Sequence, residues 1–264
     1  MPRSRVRRPR YRGRAIVRRR RASFHAAARV VIAALLLGGL GTGAYFALTS
    51  PKLVVKQVRI IGAKRDLPAR LIRSLSPGCV GKNILLVNKR KLFRLAKQEP
   101  EVERAYIRRS FPRTIVVRIQ ERAPYAVAQT GGASYLVDAS GFAFRTCAQA
   151  SSLGLPVVRV AGSDTVSLGQ PCRDGVRTAL RCIDRASTFG LKVRKISVDP
   201  AGDMCLNVVS GFYVKIGSPV KLDRKLDVLG KMLDGRPEMF RRIEYVDVSN
   251  PEAPAIKPTA LAAE

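Results

Sequence analysis

Residues Val30 to Leu48 read VVIAALLLGGLGTGAYFAL, nineteen positions without a charge. A helix of that length reaches roughly 28 Å, close to the hydrocarbon thickness of a bilayer at about 30 Å. The run therefore predicts a transmembrane helix, with Val30, Leu36, Leu40 and Leu48 among its lipid-facing side chains, and every other segment must be arranged around it. Arg29 and Lys52 bracket the span, and Tyr45 with Phe46 sits near one end, where aromatic rings favour the interface. Thr49-Ser50-Pro51 stops the helix. Gly39 and Gly43 carry the Gly-x-x-x-Gly spacing that lets another span approach closely. The rival reading is a cleavable signal peptide, for which Thr42-Gly43-Ala44 would serve as the small-residue site. A basic head of 29 residues and an apolar run longer than the roughly 7 to 15 residues of such peptides argue for an anchor.

The net charge of +30 is unevenly spread. Met1 to Arg29 holds twelve Arg and no acid, Lys52 to Pro124 nineteen basic and five acidic residues, and Tyr125 onward is nearly balanced with eighteen and fourteen. A short basic head is retained in the cytoplasm, whereas a long domain translocates largely regardless of its charge. Residues 51–264 are thus expected outside the membrane, in a single-pass type II arrangement. Tyr11 and Phe24 are the head's only aromatic residues, too few for a base-stacking mode, so no nucleic-acid partner is expected. Attraction to anionic lipid suffices to explain the head's charge.

Chemistry is sparse. His25, the single histidine, precedes the span, which excludes a Ser-His-Asp or Cys-His arrangement outside and argues against a zinc site there. Ser76-Pro-Gly-Cys-Val-Gly-Lys-Asn83 is a poor phosphate loop, with Ser76 where the first glycine belongs and Asn83 where a Ser or Thr belongs. Asp199 and Asp203 read as turn formers. No enzyme, metal or cofactor is expected. Cys79, Cys147, Cys172, Cys182 and Cys205 all fall on the exported side, where bridges persist; with five, at least one stays unpaired or pairs between molecules, and buried thiols are an equal alternative.

After the span, Val54 to Ile61 alternates as a strand ended by Gly62. Asp66 and Pro68 open a helix with Leu67, Leu71 and Leu75 on one face, followed by a loop from Ser76 to Asn83. Asn88 caps a second helix bearing Leu92, Phe93, Leu95 and Ala96. Glu101 to Arg109 and Thr114 to Glu121 are strands joined at Ser110-Phe111-Pro112-Arg113. Further on, Leu136-Val137-Asp138-x-x-Gly141 enters a turn with Phe142 to Phe144 returning, and Val157 to Val160 is another strand. A helix runs from Asp174 towards Gly190. Lys195 to Val198, Met204 to Val209 and Phe212 to Ile216 form a meander, and Pro219 opens a helix with Leu222, Leu226, Leu229 and Leu233 on one face. Ile243 to Val248 is read as the last strand, before a Pro-rich tail expected to be disordered beyond about Pro258. The class is α+β: an N-terminal transmembrane helix, a β-α-α-β-β module, and a mainly antiparallel β domain with two helices.

The β-α-α-β-β order is that of a polypeptide-transport-associated (POTRA) domain. Gly62, Gly81, Asn83, Pro100-Glu101-Val102, Arg108-Arg109, Phe111-Pro112 and Glu121-Arg122-x-Pro124 resemble its FtsQ-type version. With Val214-Lys215-Ile216-Gly217 and Tyr245-Val246-Asp247-Val248, and with a basic head and one span ahead of them, the chain resembles the FtsQ/DivIB family of bacterial cell-division proteins. The resemblance implies a basic tail (1–29), a span (30–50), a POTRA domain (51–124), an FtsQ-type β domain (125–250) and a flexible tail (251–264). It further implies an inner-membrane scaffold at the division septum that links FtsB-like and FtsL-like single-span partners and regulates septal peptidoglycan synthesis by binding. The docking edge it implies is Tyr245, Val246, Asp247 and Val248, although Ser249 and Asn250 stand where members often carry Arg and an aromatic residue. The residues alone leave a strand buried inside its own sheet as the alternative. A POTRA-bearing accessory of polypeptide transport and a membrane-tethered polyanion binder are the competing functions.

Overall fold

The structure, a computed structural model, describes residues 14–148, 153–161, 166–233 and 243–259. Helix α1 (Arg14–Thr49) opens it, and its stretch Arg29–Thr49 is long and apolar enough to cross a membrane. Val30, Leu36, Leu40 and Leu48 are all exposed on it. The helix begins well before the apolar run, because a head rich in Arg and Ala is itself helix-favouring. An added Cβ at Gly39 or Gly43 meets nothing within 4 Å, so none of the described residues packs on that small-residue stripe.

The first module contains β1 (Gln57–Ile61), α2 (Leu67–Cys79), α3 (Lys89–Lys97), β2 (Val102–Ser110) and β3 (Thr114–Glu121). Its three-stranded sheet has the order β1-β3-β2, with β1 parallel and β2 antiparallel to β3. Leu67, Leu71, Leu75 and Cys79 recur every four residues and are fully buried against Ile115 and Val117 of the central strand. That stripe explains a departure from expectation: α2 runs one turn past Ser76, through Pro77, because stopping there would leave Cys79 outside the core. Asp66 makes no side-chain capping bond, whereas Asn88 does cap α3, its side chain accepting from the Lys91 N–H at 3.1 Å. Phe93 faces solvent while Leu92 and Ala96 fill the core.

The second module contributes β4 (Ala126–Thr130), β5 (Ala133–Val137), β6 (Ala143–Thr146), β7 (Val157–Val160), α4 (Asp174–Thr188), β8 (Val193–Val198), β9 (Met204–Val208), β10 (Tyr213–Gly217), α5 (Leu222–Leu233), β11 (Ile243–Asp247) and β12 (Ala255–Pro258). Among the described residues these strands form one sheet in the order β12-β11-β10-β9-β8-β7-β4-β5-β6. Two of its parallel junctions, β7–β8 and β10–β11, are bridged by α4 and α5 respectively, as parallel neighbours require. Both helices lie on the same face, where Val176, Leu180, Leu226 and Leu229 meet Ile196, Leu206, Val214 and Val246. Strand β4 was not anticipated. Its Ala126 and Ala128 join the main core while Val127 packs with Leu136 and Phe144 on the other side, so burial on both faces erases the alternation by which a strand is recognised.

The chain end departs most from expectation. Residues 255–258 are not a loose tail but strand β12, paired antiparallel to β11 through Tyr245↔Lys257, Val246↔Ile256 and Asp247↔Ala255. Ile243 to Val248 is consequently the penultimate strand. Residues 260–264, on which the expectation of disorder also falls, lie outside the described residues, as do 1–13 of the basic head. All five cysteines are unbridged: Cys79, Cys172 and Cys182 are buried, Cys147 and Cys205 half-buried.

Candidate functional site

A sheet terminates in two edges, each a row of unpaired N–H and C=O groups that another chain can extend. In the nine-stranded sheet the β6 edge is covered at its first residue by its own chain, since Ala143 N–H donates to Gln170 O (3.1 Å) and Gly169 N–H to Ala143 O (2.8 Å). At the other end, among the described residues, β12 has a strand neighbour on one side only, and all four of its residues are exposed. The open end of the sheet is therefore β12, backed by β11 and β10.

Alternation sorts the residues behind it. On β11, Val246 is fully buried, as is Val248 just past the strand's end, whereas Tyr245 and Asp247 are half-buried on the face that carries no helix. Cross-strand register builds that face into two rows. One runs Arg159, Ser197, Cys205, Lys215, Asp247, Ala255 from β7 to β12; the adjacent row ends Asn207, Tyr213, Tyr245, Lys257. The Tyr213 and Tyr245 rings stack with centroids 5.4 Å apart. Lys215 Nζ lies 4.1 Å and Lys257 Nζ 5.6 Å from the Tyr245 centroid, within cation–π range. Lys257 also pairs with Glu244 at 2.8 Å, a cross-strand tie between β12 and β11.

Two side chains set the ends of these strands. The buried Lys225 of α5 donates from Nζ to Ile216 O (3.0 Å) and Ser218 O (2.8 Å), fixing where β10 stops. Asp247 Oδ1 accepts from Ser249 N–H (2.9 Å) and Oγ (2.6 Å), turning the chain after β11. Burial alone would raise the Asp247 carboxyl, but the Ser249 bonds and the ammonium groups of Lys215 and Lys225 outweigh it and hold the group below the usual carboxylate range. A shallow depression of about 480 Å³ adjoins this turn, bordered by Arg159, Ser197, Cys205, Lys215 and Asp247. Charged and polar side chains border it; among the described residues no cluster of three metal-ligating side chains occurs.

Residues 53–122 match the family model for the POTRA domain of FtsQ type, and 126–249 that for the C-terminal region of cell division protein FtsQ/DivIB. The cell division protein FtsQ of Anaeromyxobacter sp. (strain K) is 31% identical over 233 residues, covering 85% of this chain and 77% of the relative. The chain belongs to the FtsQ/DivIB family. The FtsQ of Syntrophotalea carbinolica is 30% identical over 190 residues (67% of this chain, 64% of the relative), and that of Streptomyces collinus 28% over 235 residues (86% and 87%). The FtsQ/DivIB match ends at 249, so β12 lies just past it.

Of the expected docking residues, Tyr245, Val246, Asp247 and Val248 do sit together on and beside β11, but β12 covers them as the outer strand. Only Tyr245 and Asp247 offer side chains to a visitor. Structural neighbours that the sequence does not announce are Ala255-Ile256-Lys257-Pro258, whose one signal is a brief alternation hidden in a Pro-rich context, and Tyr213, whose stacking partner is set by a parallel register that no local pattern encodes.

Proposed function

We propose that this FtsQ-family chain is a membrane-anchored division scaffold that works by binding. The span holds it in the inner membrane with the basic head in the cytoplasm, the modules lie outside at the septum, and the sheet end captures FtsB-like and FtsL-like single-span partners, through which septal peptidoglycan synthesis is regulated. The single observation that carries this reading is the asymmetry of the nine-stranded sheet: the β6 edge is covered at Ala143 by the chain's own backbone, and among the described residues the β12 edge is left exposed along all four of its positions. A partner segment adding beside β12 gains main-chain hydrogen bonds, and Lys257 and Ile256 set its side-chain preferences.

Co-purification from dividing cells tests this reading. Removing residues 255–264, or replacing Ile256 by Pro, should abolish recovery of the FtsB-like partner while β1 to β11 stay folded. Retained or enhanced recovery after removal of β12 would show instead that the partner takes the place of β12 against Tyr245 and Asp247.

A further inference from the structure

The first module is polarised end to end, and the polarity is aligned with the span. β1 and β3 run away from the end of α1 while β2 returns towards it, so the β2–β3 hairpin Phe111-Pro112-Arg113 lies at the same end of the sheet as Gln57. Arg113 Nε donates to Lys52 O at 3.2 Å, tying that hairpin to the chain just after the span. The α2–α3 loop is at this end too. Asn83 Nδ2 donates to Ala47 O and Leu48 O, each at 2.8 Å, capping carbonyls in the last turn of α1 that have no intrahelical partner. Arg109 braces the same loop by donating to Leu85 O (2.9 Å) and Val87 O (3.0 Å).

Charge follows this geometry. Segments 50–57, 80–91 and 108–114, which make up the near end, hold nine basic residues and no acidic one. The module's five acids, Asp66, Glu99, Glu101, Glu103 and Glu121, all lie at or beside the far ends of its helices and strands. Apolar side chains are exposed among the near-end cations: Leu86 is 64% and Phe111 60% accessible, with Leu85 and Val80 also exposed. Large apolar groups ringed by Lys and Arg, held at the point where a span leaves the bilayer, have the composition of a surface that enters the headgroup layer.

We propose that loop 80–88 and the 111–113 hairpin form an interfacial dock for anionic phospholipid, seating the first module end-on on the bilayer. Leu86 and Phe111 enter the headgroup–acyl boundary, and Lys52, Lys82 and Arg113 face lipid phosphates. The inference rests on the anchoring reading above, and the test separates the two.

The chain has no Trp, so Leu86→Trp in the full-length protein is a single reporter at an exposed site, with Phe111→Trp as a second. Each variant is reconstituted into phosphatidylcholine vesicles with or without phosphatidylglycerol, some carrying brominated acyl chains, and insertion is scored by resistance to carbonate extraction. In phosphatidylglycerol vesicles both reporters should emit blue-shifted light, be quenched by bromolipid and be shielded from iodide. Each of Lys52→Gln and Lys82→Gln should lower the docked-to-free ratio about fivefold. Inserted protein whose reporters emit as in water and are quenched by iodide overturns the dock. Equal quenching in neutral vesicles, unaffected by the Gln variants, overturns the assignment to anionic lipid. A chain that is extracted by carbonate removes the anchoring reading and this proposal with it.

Discussion

Gly62 ends β1 at φ +87°, and a Cβ built there would lie 2.4 Å from the Ile119 carbonyl oxygen on β3. The backbone of the central strand cannot retreat from that contact without disturbing Ile119, which is itself buried in the core. Gly62→Ala therefore combines a left-handed backbone with a collision against main chain. It should destabilise the first module by about 2 kcal/mol or more, read as a lower urea midpoint with an unchanged slope. The sequence marks this glycine as a strand terminator, but the partner that makes it irreplaceable is 57 residues away. Asn83 is a similar case: the loop pattern places it, while its bonds to the end of α1 depend on where the whole module sits.

At the scale of elements, α2, α3, α4 and α5 were legible because each buries one stripe at helical spacing, as Leu222, Leu226 and Leu229 do on α5. Strands with one wet face were legible for the matching reason. What escaped was determined by pairing: β4 is dry on both sides, β12 is exposed throughout, and the neighbour of each is set by chain crossings rather than by local pattern. The strand expected to be last in the sheet, Ile243 to Val248, is thus the penultimate one, with β12 outside it. Contact between α4 and α5 offers a test in which two effects oppose. Gly230 in α5 faces the Phe189 ring at the end of α4, and an added Cβ would sit 2.6 Å from two ring carbons. Alanine gains about 1 kcal/mol of helix propensity over glycine, but forcing the ring aside costs about 1–3 kcal/mol. Gly230→Ala should lower the thermal midpoint on balance, and adding Phe189→Leu should recover part of the loss; a rise in the single variant would mean that the ring moves freely.

Across the whole molecule the two modules meet through ion pairs rather than a shared apolar core. Glu101 receives Arg70 of α2 (2.5 Å) from its own module and Arg145 of β6 from the other. Arg122 in turn reaches across to Asp138 (2.5 Å) and stacks over Phe142 with its guanidinium carbon 3.8 Å from the ring centroid. Burial pushes both carboxyls up, but the arginines, with Ser140 and the Phe142 N–H in the case of Asp138, prevail and hold each below the usual carboxylate range. A carboxyl whose folded pKa is depressed contributes stability that is complete above its unfolded value near 4 and is lost as pH falls through the lower folded value. The joint should accordingly be constant from pH 7 to about 5 and loosen below about 4. Spin labels on the two modules of the full-length chain read this as an inter-label distance distribution that broadens only in the acid window. Glu101→Gln leaves Arg70 and Arg145 facing each other across a neutral amide, which removes about 1–3 kcal/mol and should give the broad distribution already at pH 7. A distribution equally narrow in the variant and at acid pH would mean that backbone connection alone, through Glu121 to Tyr125, sets the angle between the two modules.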